Sequence, residues 1–143
     1  LGDNDYERFE NATRFQSFEM SIAGVLALGA AAQYALDLGL AEIRLRIDSL
    51  AGELRSQLDE IPGVRVVDRG TAQSGIVAFA IPGDNAFTAA SRLRERGITL
   101  TPVTALTNPS DYASTDATCI LRASPHIYND KDDLNSLVAA LTD

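Results

Sequence analysis

SIAGVLALGAAAQYALD, residues 21 to 37, decides the fold, because no other stretch of the chain is as long, as helical or as apolar. Ile22, Val25, Leu26, Leu28, Tyr34, Ala35, Leu36 and, one step beyond, Leu38 run nearly all the way round a helical period. Ala27, Ala30, Ala31 and Ala32 add helix propensity and a thin surface for close approach. A helix apolar along one stripe needs one neighbour, whereas one apolar on most faces needs neighbours on several sides. Two readings stand at this point: the central helix of a compact domain, or a helix covered partly by another domain or subunit.

Downstream, Gly39 closes this helix in the C′ position. Residues 40–60 form an amphipathic helix with Ile43, Ile47, Leu50, Leu54 and Leu58 inward, and Arg44, Arg46, Glu53, Arg55 and Asp59 on the other face. Pro62 and Gly63 turn the chain. Strands are expected over 64–67 and 75–81, joined by a polar link over 68–74. The run Pro82-Gly83-Asp84-Asn85 stops the second strand and offers an N-cap to a helix over 86–96, with Phe87, Ala90 and Leu93 inward. After Gly97 come a strand over 98–103, a polar loop over 104–118, a strand over 119–124 and a helix over 130–141. The start of that helix is marked by Asp130, Asp132 and Asp133. The order α, α, β, β, α, β, β, α predicts an α/β (α+β) sandwich: a small mixed or antiparallel sheet of about four strands covered by helices, preceded by the long helix.

Upstream, residues 1–20 are polar and aperiodic, and read as a linker leading into a domain over 21–143; a segment cut from something larger and a trimmed terminus look alike here. A length of 143 residues and 45% hydrophobic content suffice for a real core. The formal net charge of -8 disfavours nucleic acid or an anionic membrane as partner. No apolar run is long enough to span a bilayer, so a soluble, cytoplasmic protein is the expectation. The single Cys119, inside an apolar run, reads as a core residue, and with His126 it is too little for a zinc site. Neither GxGxxG nor GxxxxGK[ST] occurs, and the clustered carboxylates at both ends read as solvated charge.

Unusual residues gather in LRASPHIYND, residues 121 to 130. Arg122 interrupts an apolar strand and is followed by Ser124, His126, Tyr128 and Asn129. Such an arginine either faces solvent or is held near a pocket, where its planar fork grips a carboxylate bidentately. His126 and Tyr128 either pack in the turn or act as acid and base, and Asn129 and Asp130 are placed to cap the last helix.

RFQSFEMSIAG (14–24), GIVAFAIPG (75–83), RERGITL (94–100) and LRASPHIYNDKDDLNSLVAAL (121–141) together resemble the C-terminal small domain of class V aminotransferase-fold enzymes. That pyridoxal-phosphate family includes cysteine desulfurases, selenocysteine lyases, kynureninases and isopenicillin N epimerase-like proteins. The resemblance implies that Arg122 binds the α-carboxylate of an amino-acid substrate, with Ser124, His126 and Tyr128 around it. It also implies pyridoxal phosphate as cofactor, a large domain as partner and a homodimer at full length. Glu19 falls on the family threonine that reaches the cofactor phosphate of the neighbouring subunit; this exchange departs from that contact and is similar to the branch that reads Trp-Glu.

Two further departures bear on activity. Desulfurases of the family carry a nucleophilic cysteine in the loop before the last strand, but residues 104–118 contain none. Pyridoxal phosphate is held by a lysine, and the chain's only lysine, Lys131, sits between Asp130 and Asp132 at a helix start, a place suited to a solvated charge. The expectation is therefore a substrate-binding small domain that is inactive alone, in an enzyme performing transamination, epimerisation or elimination. The competing expectation is a non-enzymatic module whose long helix docks onto a partner.

Overall fold

The computed structural model describes residues 6–16, 19–83, 85–104 and 119–142. The chain divides into two compact units, Leu1–Gly39 and Leu40–Asp143.

In the first unit a short 3-10 helix, Ala12–Phe15, is capped by Asn11, whose Oδ1 accepts from the Thr13 N–H at 2.9 Å. The aperiodic composition of the segment gave no sign of it. Helix α1, Ile22–Leu38, starts at Ser21, whose Oγ accepts from the Gly24 N–H at 3.0 Å. It ends at Gly39, where φ of +90° favours a residue without a side chain. No residue of α1 is buried, and Ile22, Val25, Leu26, Leu28, Tyr34 and Leu36 are all exposed.

The second unit comprises α2 (Leu40–Asp59), β1 (Arg65–Val66), β2 (Val77–Ala80), α3 (Ala86–Glu95), β3 (Thr101–Val103), β4 (Ile120–Ala123) and α4 (Lys131–Thr142). The strands form one four-stranded sheet in the order β1-β2-β4-β3, every pair antiparallel. The element order and the fold class match the sequence reading, although each strand is shorter than its β-forming run. The predicted loop over 104–118 falls, apart from Thr104, outside the described residues.

Strand alternation decides which side chains build the core. Val77 and Phe79 of β2, Leu121 and Ala123 of β4, and Cys119 pack against Leu50, Ala51, Leu54 and Leu58 of α2. Ala86, Ala89, Ala90 and Leu93 of α3 and Leu134 and Leu137 of α4 complete the same cluster. Phe87, expected inward, is 59% exposed: α3 presents its alanines to the sheet, and that phase turns Phe87 outward. The N-cap expected before α3 is Asn85, whose Oδ1 accepts from the Phe87 N–H at 2.9 Å. The far face of the sheet, turned away from α2, α3 and α4, carries the intervening residues, among them Ala78, Thr101 and Arg122. Pro102 is accommodated because β3 is an edge strand.

Polar contacts fix the connections. Arg55, expected on the solvated face of α2, instead donates from Nε to Asp68 Oδ2 at 2.8 Å. Its Nη2 donates to the carbonyls of Ser74 and Ile76, and Asp68 Oδ1 accepts from the Ala78 N–H. The link between β1 and β2 is thus tied to both α2 and the sheet. It also comes so close to α2 that a Cβ at Gly75 would overlap the Ile47 Cγ2 methyl. Between α2 and α4, Gln57 donates to Asn135 Oδ1 at 3.1 Å.

Candidate functional site

The segment after β4 keeps the strand's alternation for three more residues: Ala123 and Pro125 are buried, while Arg122, Ser124 and His126 are exposed. The chain then turns, with the Asn129 N–H donating to the His126 carbonyl at 3.0 Å and Asn129 Oδ1 accepting from the His126 N–H at 2.9 Å. Arg46 of α2 supports this turn by donating to the Asn129 carbonyl at 2.7 Å. The cap of α4 is reciprocal: Asp130 Oδ1 accepts from the N–H groups of Asp132 and Asp133, and Asp133 Oδ2 accepts from the Asp130 N–H at 3.1 Å. Asn129 Nδ2 donates to the same Asp133 oxygen, and this bond, followed by the Asp130 backbone bond, holds the Asp133 carboxyl below its ordinary pKa of 3.8. Asp130 thus has the capping role expected of it, whereas the Asn129 side chain, expected to cap as well, bonds to the His126 N–H and the Asp133 carboxylate and accepts from none of the N–H groups that open α4.

Arg122 leaves the middle of β4 on the far face of the sheet, where its cross-strand neighbours are Ala78 of β2 and Thr101 of β3. It is exposed, and among the described residues its guanidinium has no hydrogen bond and no carboxylate partner. An arginine in that setting presents its whole donor fork outward.

The other predicted residues do not all join it. The rings of His126 and Tyr128 lie 5.0 Å apart at 31°, packing on each other at the surface of the turn. Ser124 and Tyr128 line an open cleft of about 560 Å³ together with Gly97, Ile98, Thr99 and Leu134, but Arg122 and His126 are not among its lining residues. Glu19 is exposed and belongs to the first unit. Sequence reasoning missed Arg46, whose charge was read as solvated, and Thr101, whose place beside Arg122 follows from strand register.

The chain's single lysine is not placed as an imine-forming residue. Lys131, the single lysine, stands 70% exposed on the first turn of α4 with its Nζ 3.2 Å from Glu53 Oε1. An imine-forming amine needs a dry pocket beside the cofactor, which this surface position does not offer. Cys119, the single cysteine, is fully buried at the start of β4, as the sequence reading expected of a core residue. Among the described residues no group of His, Cys, Asp and Glu is arranged to hold a metal ion, and no single helix is long and apolar enough to cross a membrane.

Comparison with known proteins agrees with this architecture. A probable cysteine desulfurase of Chlamydia trachomatis serovar D is 34% identical over 136 residues, covering 94% of this chain and 33% of that protein. One from Xylella fastidiosa strain 9a5c is 30% identical over 129 residues, covering 90% of this chain and 30% of that protein. Among solved structures, the cysteine desulfurase CsdA (S-sulfonic acid) of Escherichia coli matches with a TM-score of 0.75 and 30% identity, over 87% of this chain and 31% of that one. The apo cysteine desulfurase of Thermococcus onnurineus NA1 shares the fold, with a TM-score of 0.81 at 22% identity over 99% of this chain and 36% of that one. The chain spans about a third of the length of the curated relatives it matches. Residues 4–137, nearly its whole length, match the family described as Aminotransferase class-V, and the chain belongs to that family.

Proposed function

We propose that this chain is the substrate-carboxylate-binding small domain of a pyridoxal-phosphate-dependent enzyme acting on an amino acid, with Arg122 as the carboxylate anchor. The observation that carries this reading is the setting of Arg122. It interrupts an apolar strand, projects from the sheet face opposite the core, and has no carboxylate partner among the described residues. A guanidinium takes a carboxylate through two parallel, charge-assisted hydrogen bonds, which fixes orientation as well as position. The anchor thereby sets how the rest of the amino acid lies, and orientation of this kind is a large part of catalysis.

On this reading the cofactor and its lysine belong to a large domain outside these residues, residues 1–20 lead from that domain, and the whole enzyme is a cytoplasmic homodimer. The chain brings no cysteine suited to a persulfide, because Cys119 is sealed in the core. Transamination, epimerisation and elimination are the reaction classes that remain within the proposal. A second reading, an interaction module, draws on α1, whose apolar side chains are exposed along its length.

Steady-state kinetics of the full-length enzyme decide between them. Arg122→Ala and Arg122→Lys are both expected to raise KM for amino acids roughly 10- to 100-fold, the worth of a charge-assisted pair, with cofactor absorbance unchanged. Wild-type kinetics in Arg122→Ala would reject the anchor. A natural protein with no upstream cofactor-binding domain would favour the interaction module.

A further inference from the structure

We propose that Thr101 is a second donor to the carboxylate held by Arg122, so that the anchor is a pair on adjacent strands; this rests on the carboxylate reading above. The register of β3 on β4 places Thr101 directly opposite Arg122, and opposed residues of an antiparallel pair project from the same face. Their Cβ atoms stand about 4.5–5.5 Å apart in such a pair, so a carboxylate gripped by the guanidinium lies within reach of the hydroxyl.

The surroundings of Arg122 are asymmetric in a way that favours this. On the β2 side its opposed neighbour is Ala78, a methyl group with nothing to donate. On the β3 side it is a hydroxyl, exposed while the next two positions of the strand, Pro102 and Val103, are half-buried. Among the described residues the Thr101 hydroxyl has no hydrogen-bond partner. A β-branched side chain has few χ1 positions, so little rotamer freedom is lost when the hydroxyl donates. An ionised carboxylate has about four lone-pair sites; two taken by the guanidinium fork leave others for the hydroxyl proton.

The test uses the full-length enzyme with Thr101→Val, which keeps the shape and removes the hydroxyl, Thr101→Ser, which keeps the hydroxyl, and Arg122→Ala. Thr101→Val is expected to raise KM for the amino acid about 10-fold with kcat nearly unchanged, the lower end of the range for a hydrogen bond to a charged group. Thr101→Ser should stay near wild type. If Arg122→Ala raises KM strongly while Thr101→Val matches wild type, Thr101 is rejected and the Arg122 anchor stands. Equal losses in Thr101→Val and Thr101→Ser would also overturn the proposal, since the methyl or backbone would then be responsible. Wild-type kinetics in Arg122→Ala would remove the carboxylate reading and this pair with it.

Discussion

Arg55 and Asp68 form an ion pair at 2.8 Å with side chains only 12% and 13% exposed, joining the middle of α2 to the start of the link between β1 and β2. Each partner also bonds to backbone: Arg55 through Nη2 to the Ser74 and Ile76 carbonyls, Asp68 through Oδ1 to the Ala78 N–H. Removing either charge strands the other in a nearly dry place. Arg55→Ala and Asp68→Ala are each expected to cost about 3 kcal/mol in chemical denaturation, and the double variant clearly less than the sum of the two. Strict additivity would show that the pair is not coupled.

The cap of α4 makes a second expectation. Asp130→Ala removes the acceptor for the N–H groups of Asp132 and Asp133, and should cost about 1 kcal/mol of unfolding free energy.

Acid titration of the same cap has a defined sign. The Asp133 carboxyl is held below its ordinary value by the Asn129 side chain and the Asp130 backbone, so the folded state binds its proton less readily than the unfolded one. Its contribution is complete above the ordinary carboxylate range and is lost as pH falls through the lowered value. A carboxyl NMR titration should place the Asp133 midpoint below 3.8, and Asn129→Ala should move it upward. A midpoint unaffected by Asn129→Ala would contradict the assigned cause.

Gly75 is a packing contact rather than a hinge. Gly75→Ala drives a methyl group into Ile47 Cγ2 and is expected to cost about 1–3 kcal/mol. Ile47→Ala in the same chain should recover part of that loss, which a purely conformational role for the glycine would not allow.

Lys131 carries the fifth expectation. The 143-residue chain incubated with pyridoxal phosphate and borohydride should yield no stable adduct mapped to Lys131, because that amine is committed to Glu53 at the surface. A stoichiometric adduct there would overturn the placement of the cofactor lysine elsewhere.

Local chemistry was legible in the sequence and tertiary partnership was not. Ser21, Gly39, Asn85 and Asp130 announce helix ends through side chains that act within three residues, so those boundaries can be read directly. The inward face of α2 is equally plain, because Leu50, Leu54 and Leu58 repeat at the helical spacing. Arg55 was misplaced because periodicity assigns a face and not a partner, and Asp68 lies thirteen residues away across a turn. Phe87 was misplaced because its size outweighed the pattern: Ala86, Ala89, Ala90 and Leu93 make the wholly apolar face that meets the sheet, whereas Ser91 and Arg94 lie on the Phe87 side. Arg122 could be singled out from strand composition alone, whereas its neighbours required the register, which no residue pattern in 98–103 specifies.

Both margins of the sheet are poor templates for another chain. Pro102 removes a donor from the middle of β3, and β1 offers only Arg65 and Val66, a charge and a single apolar residue. A stray extended peptide could add few consecutive main-chain bonds at either margin, and the described sheet therefore has a built-in guard against edge-to-edge aggregation during folding.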